Sequence, residues 1–322
     1  MQCFLIQPIH QDGIDILRSA GLDVRVASSS DMAVVSAEIG DASAVITRNA
    51  GLDRAAMDAA RGLKVVGIHG TGYDRVDVRH ADAIGLPIVN TPGANVQSVA
   101  EHAIAQILGV AKRVRDGDAA VREGRFAYRY VGDFVEINGK TLGIVGFGRI
   151  GRRVAEIAKL GFGMTVLVHS PSVPREHIIA AGFEPTDTLD ALLDRVDVLS
   201  LHQRLTPDTH HQFDRERLGR LRQGAILVNT ARGALVDADA LIEAVETGHL
   251  LGAAMDVFDP EPLPADHPYT RCPGIVLSPH TGGATREALS RTAVEIASQV
   301  VDVLDGRKPA HLVNEALWDR RR

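Results

Sequence analysis

The stretch that decides the fold is Lys140–Ser170, KTLGIVGFGRIGRRVAEIAKLGFGMTVLVHS. Its apolar start (Leu142, Ile144, Val145) stops at Gly146-Phe147-Gly148-Arg149-Ile150-Gly151, after which Ile150, Val154, Ile157 and Ala158 recur at helical spacing. A second strand-like run, Met164 to Val168, follows. Strand, Gly-x-Gly-x-x-Gly, helix, strand is the context a dinucleotide-binding fingerprint requires. Gly146 allows a tight turn, Gly148 lets a pyrophosphate approach the backbone, and Gly151 lets helix and strand pack closely. The unpaired N–H groups of the first helical turn, aided by the helix dipole, then face the phosphates. Gly139-Lys140-Thr141 resembles the tail of a P-loop, but Phe134 stands where its first glycine belongs, which argues against a nucleotide triphosphatase.

Outward from this stretch, the chain alternates short apolar runs with helical ones, the pattern of βαβ units and a parallel sheet. Strands are expected at Cys3–Gln7, Asp23–Ala27, Ala44–Thr47, Lys64–Ile68 and Pro87–Val89, with helical stretches such as Gly13–Ala20 and Arg54–Ala60 between them. One of these strands runs into Gly70-Thr71-Gly72, whose small exposed amides suit either a plain turn or a carboxylate. The chain breaks at Asn90-Thr91-Pro92-Gly93 and enters a long helix, with Ser98-Val99-Ala100-Glu101 as its capping box and Ile104, Ile107, Leu108, Ala111 and Val114 as its buried stripe. Beyond Ser170, strands are expected at Val196–Leu201, Ala225–Asn229, Ala253–Val257 and Ile275–Leu277. Polar clusters follow each: His202-Gln203-Arg204, Thr230-Ala231-Arg232, Asp256 to Glu261, and His280-Thr281-Gly282-Gly283. Ligands bind outside the carboxyl ends of parallel strands, so these clusters and the Gly146 loop are expected to share one crevice. A second long helix from Ala284, ending near Gly306, returns the chain to its first domain, and two such crossings make a hinge.

Length and composition narrow the function. At 322 residues, with 45% hydrophobic and 24% charged residues, the chain reads as a two-domain soluble protein. A net charge of −6 with no basic block argues against nucleic acid, and Arg320-Arg321-Arg322 reads as a solvated tail. No apolar run reaches membrane-spanning length, and Met1-Gln2-Cys3-Phe4 opens a strand rather than a signal peptide. Cys3 and Cys272 are far apart, with neither metal nor redox spacing, so no metal and a reduced, cytoplasmic setting are expected.

Reducing a ketone by hydride requires a proton donor and a cation for the substrate carboxylate. Among the 13 histidines, His280 alone is read as ending a strand and preceding glycines. A histidine ring can donate or accept that proton, and Glu261, held between prolines, is the carboxylate placed to orient it. Arg232 offers a planar fork for a carboxylate. Each also has a bland reading, as a surface histidine or a sheet-end ion pair.

The motifs GIVGFGRIG (143–151), VNTARGALVD (228–237), DVFDPEPLP (256–264) and SPHTGGAT (278–285), supported by TPGANVQSVAEH (91–102) and LHQRLTPDT (201–209), make the chain resemble the D-isomer-specific 2-hydroxyacid dehydrogenases over nearly its whole length. The resemblance implies two doubly wound α/β domains, a Rossmann cofactor domain (96–285) inserted into a flavodoxin-like substrate domain (1–95 and 286–322). It implies that Arg232 polarises the 2-oxo acid, His280 is the general acid/base and Glu261 tunes it. Arg149 and Ile150 follow the phosphate pattern, while Thr230, Ala231 and Asp256 match positions that hold the nicotinamide half, with Gly282 and Gly283 leaving room for the ligand. Gly70-Thr71-Gly72 matches the substrate-carboxylate loop, and Arg48 matches a substrate-contacting arginine. A homodimer built on the cofactor domain is also implied. Two positions depart from the pattern: Ser170 replaces the aspartate that bonds the NAD ribose, and Arg204 replaces a proline. Without that carboxylate a 2′-phosphate is not repelled, so NADP(H) is weakly favoured over NAD(H), with Arg175 and Arg204 as positive partners. Glyoxylate, hydroxypyruvate and 3-phosphohydroxypyruvate are the candidate substrates. The rival readings are phosphite oxidation on the same scaffold and a non-catalytic cofactor-sensing protein. Formate enzymes carry a glutamine where Glu261 stands, which counts against formate.

Overall fold

The computed structural model describes residues 1–130 and 133–321; Val131, Gly132 and Arg322 lie outside that description. The chain divides into two units, Met1–Val96 with Gly283–Arg322, and Gln97–Gly282.

The first unit holds five parallel strands: β1 (Gln2–Leu5), β2 (Asp23–Val26), β3 (Ala44–Thr47), β4 (Val65–Ile68) and β5 (Ile88–Asn90). Their order is β2-β1-β3-β4-β5, the flavodoxin-like winding. Helices cover both faces, so the inner strands are buried throughout, and alternate residues feed opposite cores. Phe4, Val45 and Val66 pack with Met57 and Leu63 on one side. Leu5, Ile46 and Val65 pack with Leu17, Ile296 and Val300 on the other. The last two belong to the helix Arg286–Leu304, capped by Thr285 and followed by Gly306 in the left-handed region. That helix lies against Gln11–Ser19 so closely that a Cβ on Gly13 would come within 2.6 Å of the Ala293 carbonyl oxygen.

The second unit holds seven parallel strands: β6 (Thr141–Val145), β7 (Thr165–His169), β8 (Glu184–Pro185), β9 (Val198–Leu201), β10 (Ala225–Asn229), β11 (Leu250–Met255) and β12 (Ile275–Leu277). The order β12-β11-β10-β9-β6-β7-β8 is a Rossmann winding, with its direction reversing between β6 and β9. Leu199, Leu227 and Met255 face one core with Leu192 and Leu241. Ile144, Val168 and Val228 face the other with Val154, Ile104 and Ile107.

Several local expectations need correction. Ser98 is no capping residue: it sits inside the helix Val96–Ala111, buried, with its hydroxyl donating to the Gly282 carbonyl at 2.6 Å. Val114 leaves the buried stripe because Arg113 adopts φ 46°, ending that helix and starting Val114–Arg122, on which Val114 is 59% exposed. Arg321 of the supposed tail stacks 3.7 Å over the Trp318 ring, while Arg322 lies outside the described residues. Among the described residues no helix is long and apolar enough to cross a membrane, and no group of three or more His, Cys, Asp or Glu is placed to hold a metal. Cys3 and Cys272 are both buried free thiols.

Gly13→Ala tests the helix contact. Helix propensity favours alanine by up to about 1 kcal/mol, but the obstacle is helix backbone, which yields little, and overpacking costs about 1–3 kcal/mol. The substitution is expected to lower the thermal unfolding midpoint.

Candidate active site

The turn after β6 is built by close approach. Gly146 has φ +93°, and a Cβ there would meet the His202–Gln203 backbone at 2.7 Å. A Cβ on Gly151 would lie 2.1 Å from the Gly146 carbonyl oxygen. Gly148, by contrast, faces open space and caps the helix Arg149–Phe162 with no side chain, and the first turn carries no acid. Uncapped amides, a bare positive helix end and room for approach are what a pyrophosphate requires, so these residues fit a dinucleotide. Arg149 is exposed and Ile150 half-buried beside them.

Ser170 follows β7 and is buried; its Oγ accepts the Phe147 N–H at 3.1 Å, tying the strand end to the glycine loop. The two proposed positive partners are both exposed: Arg175, 2.6 Å from Asp187, and Arg204, after β9. At the end of β10, Thr230 Oγ1 is buried without a hydrogen-bond partner, a polar atom left for a ligand. The Ala231 N–H donates to Asn229 Oδ1 at 3.0 Å, and Asn229 Nδ2 donates to the Arg232 carbonyl at 2.8 Å, so buried Asn229 shapes the arginine turn.

Arg232, Glu261 and His280 follow β10, β11 and β12, three adjacent strands. A Cβ on Gly233 would lie 2.1 Å from the Phe258 carbonyl carbon, so the Arg232 turn rests directly on the Phe258–Glu261 loop. Glu261 Oε1 accepts the Phe258 N–H at 3.0 Å, and Oε2 meets His280 Nδ1 at 3.1 Å. The Glu261 side chain is 13% exposed and that of His280 35%, a covered carboxylate behind an accessible ring. Arg232 Nη1 donates to the Ala231 carbonyl at 2.6 Å, fixing one edge of the guanidinium.

Asp256 is more deeply engaged than a ligand-holding role alone would require. Its carboxylate accepts from Ser278 Oγ (2.6 Å), the Thr281 N–H (2.9 Å) and the Gly282 N–H (2.9 Å), with His102 Nε2 at 3.2 Å. Burial pushes its pKa up, but the hydrogen bonds from His102, Ser278, Gly282 and Thr281 outweigh burial and hold it below the usual carboxylate value. Gly282 packs on this carboxylate, where a Cβ would come within 2.9 Å of Oδ2, and Gly283 packs on Asn95 in the first unit.

Within the first unit, Arg48 follows β3 and Gly70-Thr71-Gly72 lies just beyond β4. Arg48 Nη1 donates to the Pro8 carbonyl at 3.2 Å, and burial lowers its pKa. Sequence reasoning passed over His69, which also ends a strand and precedes a glycine, so His280 is not unique in that respect. His69 directly follows β4, its Nε2 is buried without a partner, and Thr71 Oγ1 is buried and unpartnered nearby in the chain. The signal was present in His69-Gly70, but the strand end was visible only as an apolar run.

Comparisons with known proteins agree with this geometry. Residues 104–282 match the family model described as "D-isomer specific 2-hydroxyacid dehydrogenase, NAD binding domain". The chain belongs to the D-isomer-specific 2-hydroxyacid dehydrogenase family. It is 42% identical to a glyoxylate reductase of Aeropyrum pernix over 80% of this chain and 78% of that protein. It is 36% identical to a D-3-phosphoglycerate dehydrogenase of Methanocaldococcus jannaschii over 98% of this chain, but spans only 59% of that enzyme's length. A solved NADPH-dependent glyoxylate/hydroxypyruvate reductase of Sinorhizobium meliloti, in complex with NADP and malonate, superposes with a TM-score of 0.87 at 27% identity, covering 100% of this chain and 98% of that one. The family assignment makes Gln97–Gly282 a nicotinamide-dinucleotide-binding unit.

His69 supplies a test of the first unit's electrostatics. Burial, then the Arg48 charge, pushes its pKa from 6.5 down to about 4, partly offset by hydrogen bonds to the His69 and Leu289 backbone. The unfolded chain therefore binds more protons between those values, and stability is complete above pH 6.5 and declines as pH falls towards 4. At the acid end the loss approaches ~3 kcal/mol. In His69→Phe, unfolding followed across this range is expected to show a shallower fall, with a remainder from His202, which burial pushes down to about 3.

Proposed function

We propose that the protein is an NAD(P)-dependent D-2-hydroxyacid dehydrogenase interconverting a small 2-oxo acid and its D-2-hydroxy acid. The observation that carries this reading is His280 Nδ1 seated on Glu261 Oε2 at 3.1 Å, one strand removed from the Arg232 turn. A carboxylate only accepts, so Nδ1 holds a proton and Nε2 becomes the atom that exchanges one with substrate. The Phe258 N–H on Oε1 keeps Glu261 from rotating away. In the reductive direction His280 gives its Nε2 proton to the oxygen of the forming alkoxide, and Glu261 stabilises the imidazolium that precedes transfer. Arg232 binds the carboxylate and polarises the carbonyl, drawing electron density from C2. The bound nicotinamide supplies the hydride that C2 accepts. The amides of Gly70-Thr71-Gly72, with Arg48, are assigned to the substrate's anionic groups. Glyoxylate, hydroxypyruvate and 3-phosphohydroxypyruvate are the substrates to offer first, in keeping with the activities of the reductase and dehydrogenase relatives.

For the cofactor, NADP(H) is the preferred form. No carboxylate follows β7 at Ser170 to repel a 2′-phosphate, and the exposed arginines Arg204 and Arg175 are the positive neighbours assigned to it. The protein is further proposed to be a homodimer. Val114, Val121, Phe126, Tyr130 and Phe134 are exposed apolar side chains along one segment of the second unit, and this segment is the face assigned to the partner copy.

Loss of reduced-nicotinamide absorbance, followed with NADH or NADPH against the three oxo acids, is expected to show turnover with a higher kcat/KM for NADPH. His280→Ala is expected to lower kcat by about 10²–10⁴-fold with cofactor binding retained, and Ser170→Asp to shift preference towards NADH. Unchanged turnover in His280→Ala removes the acid/base assignment. Light scattering is expected to give a dimer mass, reduced to that of a monomer by joint Phe126→Asp and Tyr130→Asp.

A further inference from the structure

His280 has φ +53°, a left-handed backbone that residues with a Cβ adopt uncommonly. The holding groups lie on both sides of it. The Ser278 carbonyl accepts the His280 N–H at 2.9 Å. Asp256 Oδ1 takes both Ser278 Oγ–H, two residues before, and the Thr281 N–H, one residue after; Oδ2 takes the Gly282 N–H. A single carboxylate at the end of β11 thus clamps the turn that carries the ring.

Behind this clamp stands the helix Val96–Ala111, whose buried surface is otherwise largely apolar. Three polar residues interrupt it at intervals of four, placing them on one face. Ser98 Oγ donates to the Gly282 carbonyl at 2.6 Å. His102 Nε2 lies 3.0 Å from Ser278 Oγ and 3.2 Å from Asp256 Oδ1. Gln106 Nε2 donates to Ser278 Oγ at 2.8 Å. The proton inventory is consistent: Asp256 only accepts and Ser278 has given its hydrogen to Asp256, so His102 must carry a proton on Nε2, shared between the two oxygens. Gln106 Oε1 is meanwhile buried with no partner, an arrangement that an apolar residue of similar volume would avoid. Stability alone does not account for such a residue.

We propose that the stripe Ser98, His102 and Gln106 positions His280 through Ser278 and Asp256, with His102 and Gln106 as positioning residues that hold the imidazole on Glu261. The proposal rests on the dehydrogenase reading for its kinetic consequence, but its structural consequence is independent of turnover.

The test uses the whole 322-residue chain with its nicotinamide bound. His102→Leu is expected to lower kcat about 10- to 100-fold with little change in cofactor Kd, and His102→Gln, which restores a donor, to recover most of it. Gln106→Leu separates the positioning role from packing: its unfolding midpoint should hold or rise while kcat falls several-fold. The low-field Nδ1–H resonance of His280, assigned by its loss in His280→Ala, reports the Glu261 bond directly and should broaden or vanish in His102→Leu and Gln106→Leu. If the wild-type protein turns over no 2-oxo acid, the functional reading fails and the resonance still decides the positioning role. If His102→Leu does not fold, Gln106→Leu and His102→Gln carry the comparison. Wild-type kcat and an unaltered resonance in the folded leucine variants overturn the proposal. So does a kcat loss that merely tracks a lowered unfolding midpoint.

Discussion

Parallel pairing is the constraint from which the site in the second unit follows. Seven strands running the same way release every strand-to-helix connection at the same edge, so residues far apart in sequence share one rim. Close packing of those connections then fixes them against one another. Gly146 lies on the His202–Gln203 backbone, joining the loops after β6 and β9. Gly233 lies on Phe258, joining those after β10 and β11, and Gly282 lies on the Asp256 carboxylate, joining those after β11 and β12. Each contact spans adjacent strands at a position where a Cβ would collide. The rim is therefore tied together by close contacts at these glycines, two of which involve the loops that carry Arg232, Glu261 and His280.

Legibility in the sequence followed burial. Strands buried on both faces, such as Ala44–Thr47 and Ala225–Asn229, appear as short apolar runs and were found at their true limits. The helices Met32–Glu38 and Val78–Ala83 are short, and the edge strand Glu184–Pro185 has two residues, so no period establishes itself in them. Ser98-Val99-Ala100-Glu101 illustrates a different failure. The residue types of a capping box were present, yet the serine hydroxyl found a tertiary partner in Gly282, and the helix began before it. A local pattern was overridden by a contact 184 residues away.

The site divides along the same line. The glycine loop and the Glu261–His280 pair stand at strand ends, where sequence order already implies proximity. Asn229, His69, His102 and Gln106 were given no role of their own, and Ser98 only that of a helix cap. Nothing in one sequence says that a polar residue on an apolar helix face has a buried partner rather than a solvated one. Spacing by four, on a helix otherwise apolar, is the one trace such residues leave. Asp256 was noticed for its motif, but its four donors became visible only when β11 and β12 were paired.

Electrostatics then explains how a chain of net charge −6 accommodates anions. The global field does not favour a dinucleotide or an oxo acid, so attraction must be local. On the proposed reading it comes from the uncapped helix start at Gly148, whose first turn carries no acid, and from the Arg232 guanidinium. The carboxylates of Asp256 and Glu261 are each engaged by donors of the chain itself. Asp256 is held by Ser278, Thr281, Gly282 and His102, and Glu261 by Phe258 and His280. Their hydrogen bonds hold the His280 turn from two sides. Replacing the acid after β7 with Ser170 extends the same logic along the rim, leaving the glycine loop with a hydroxyl neighbour where a carboxylate would repel phosphate.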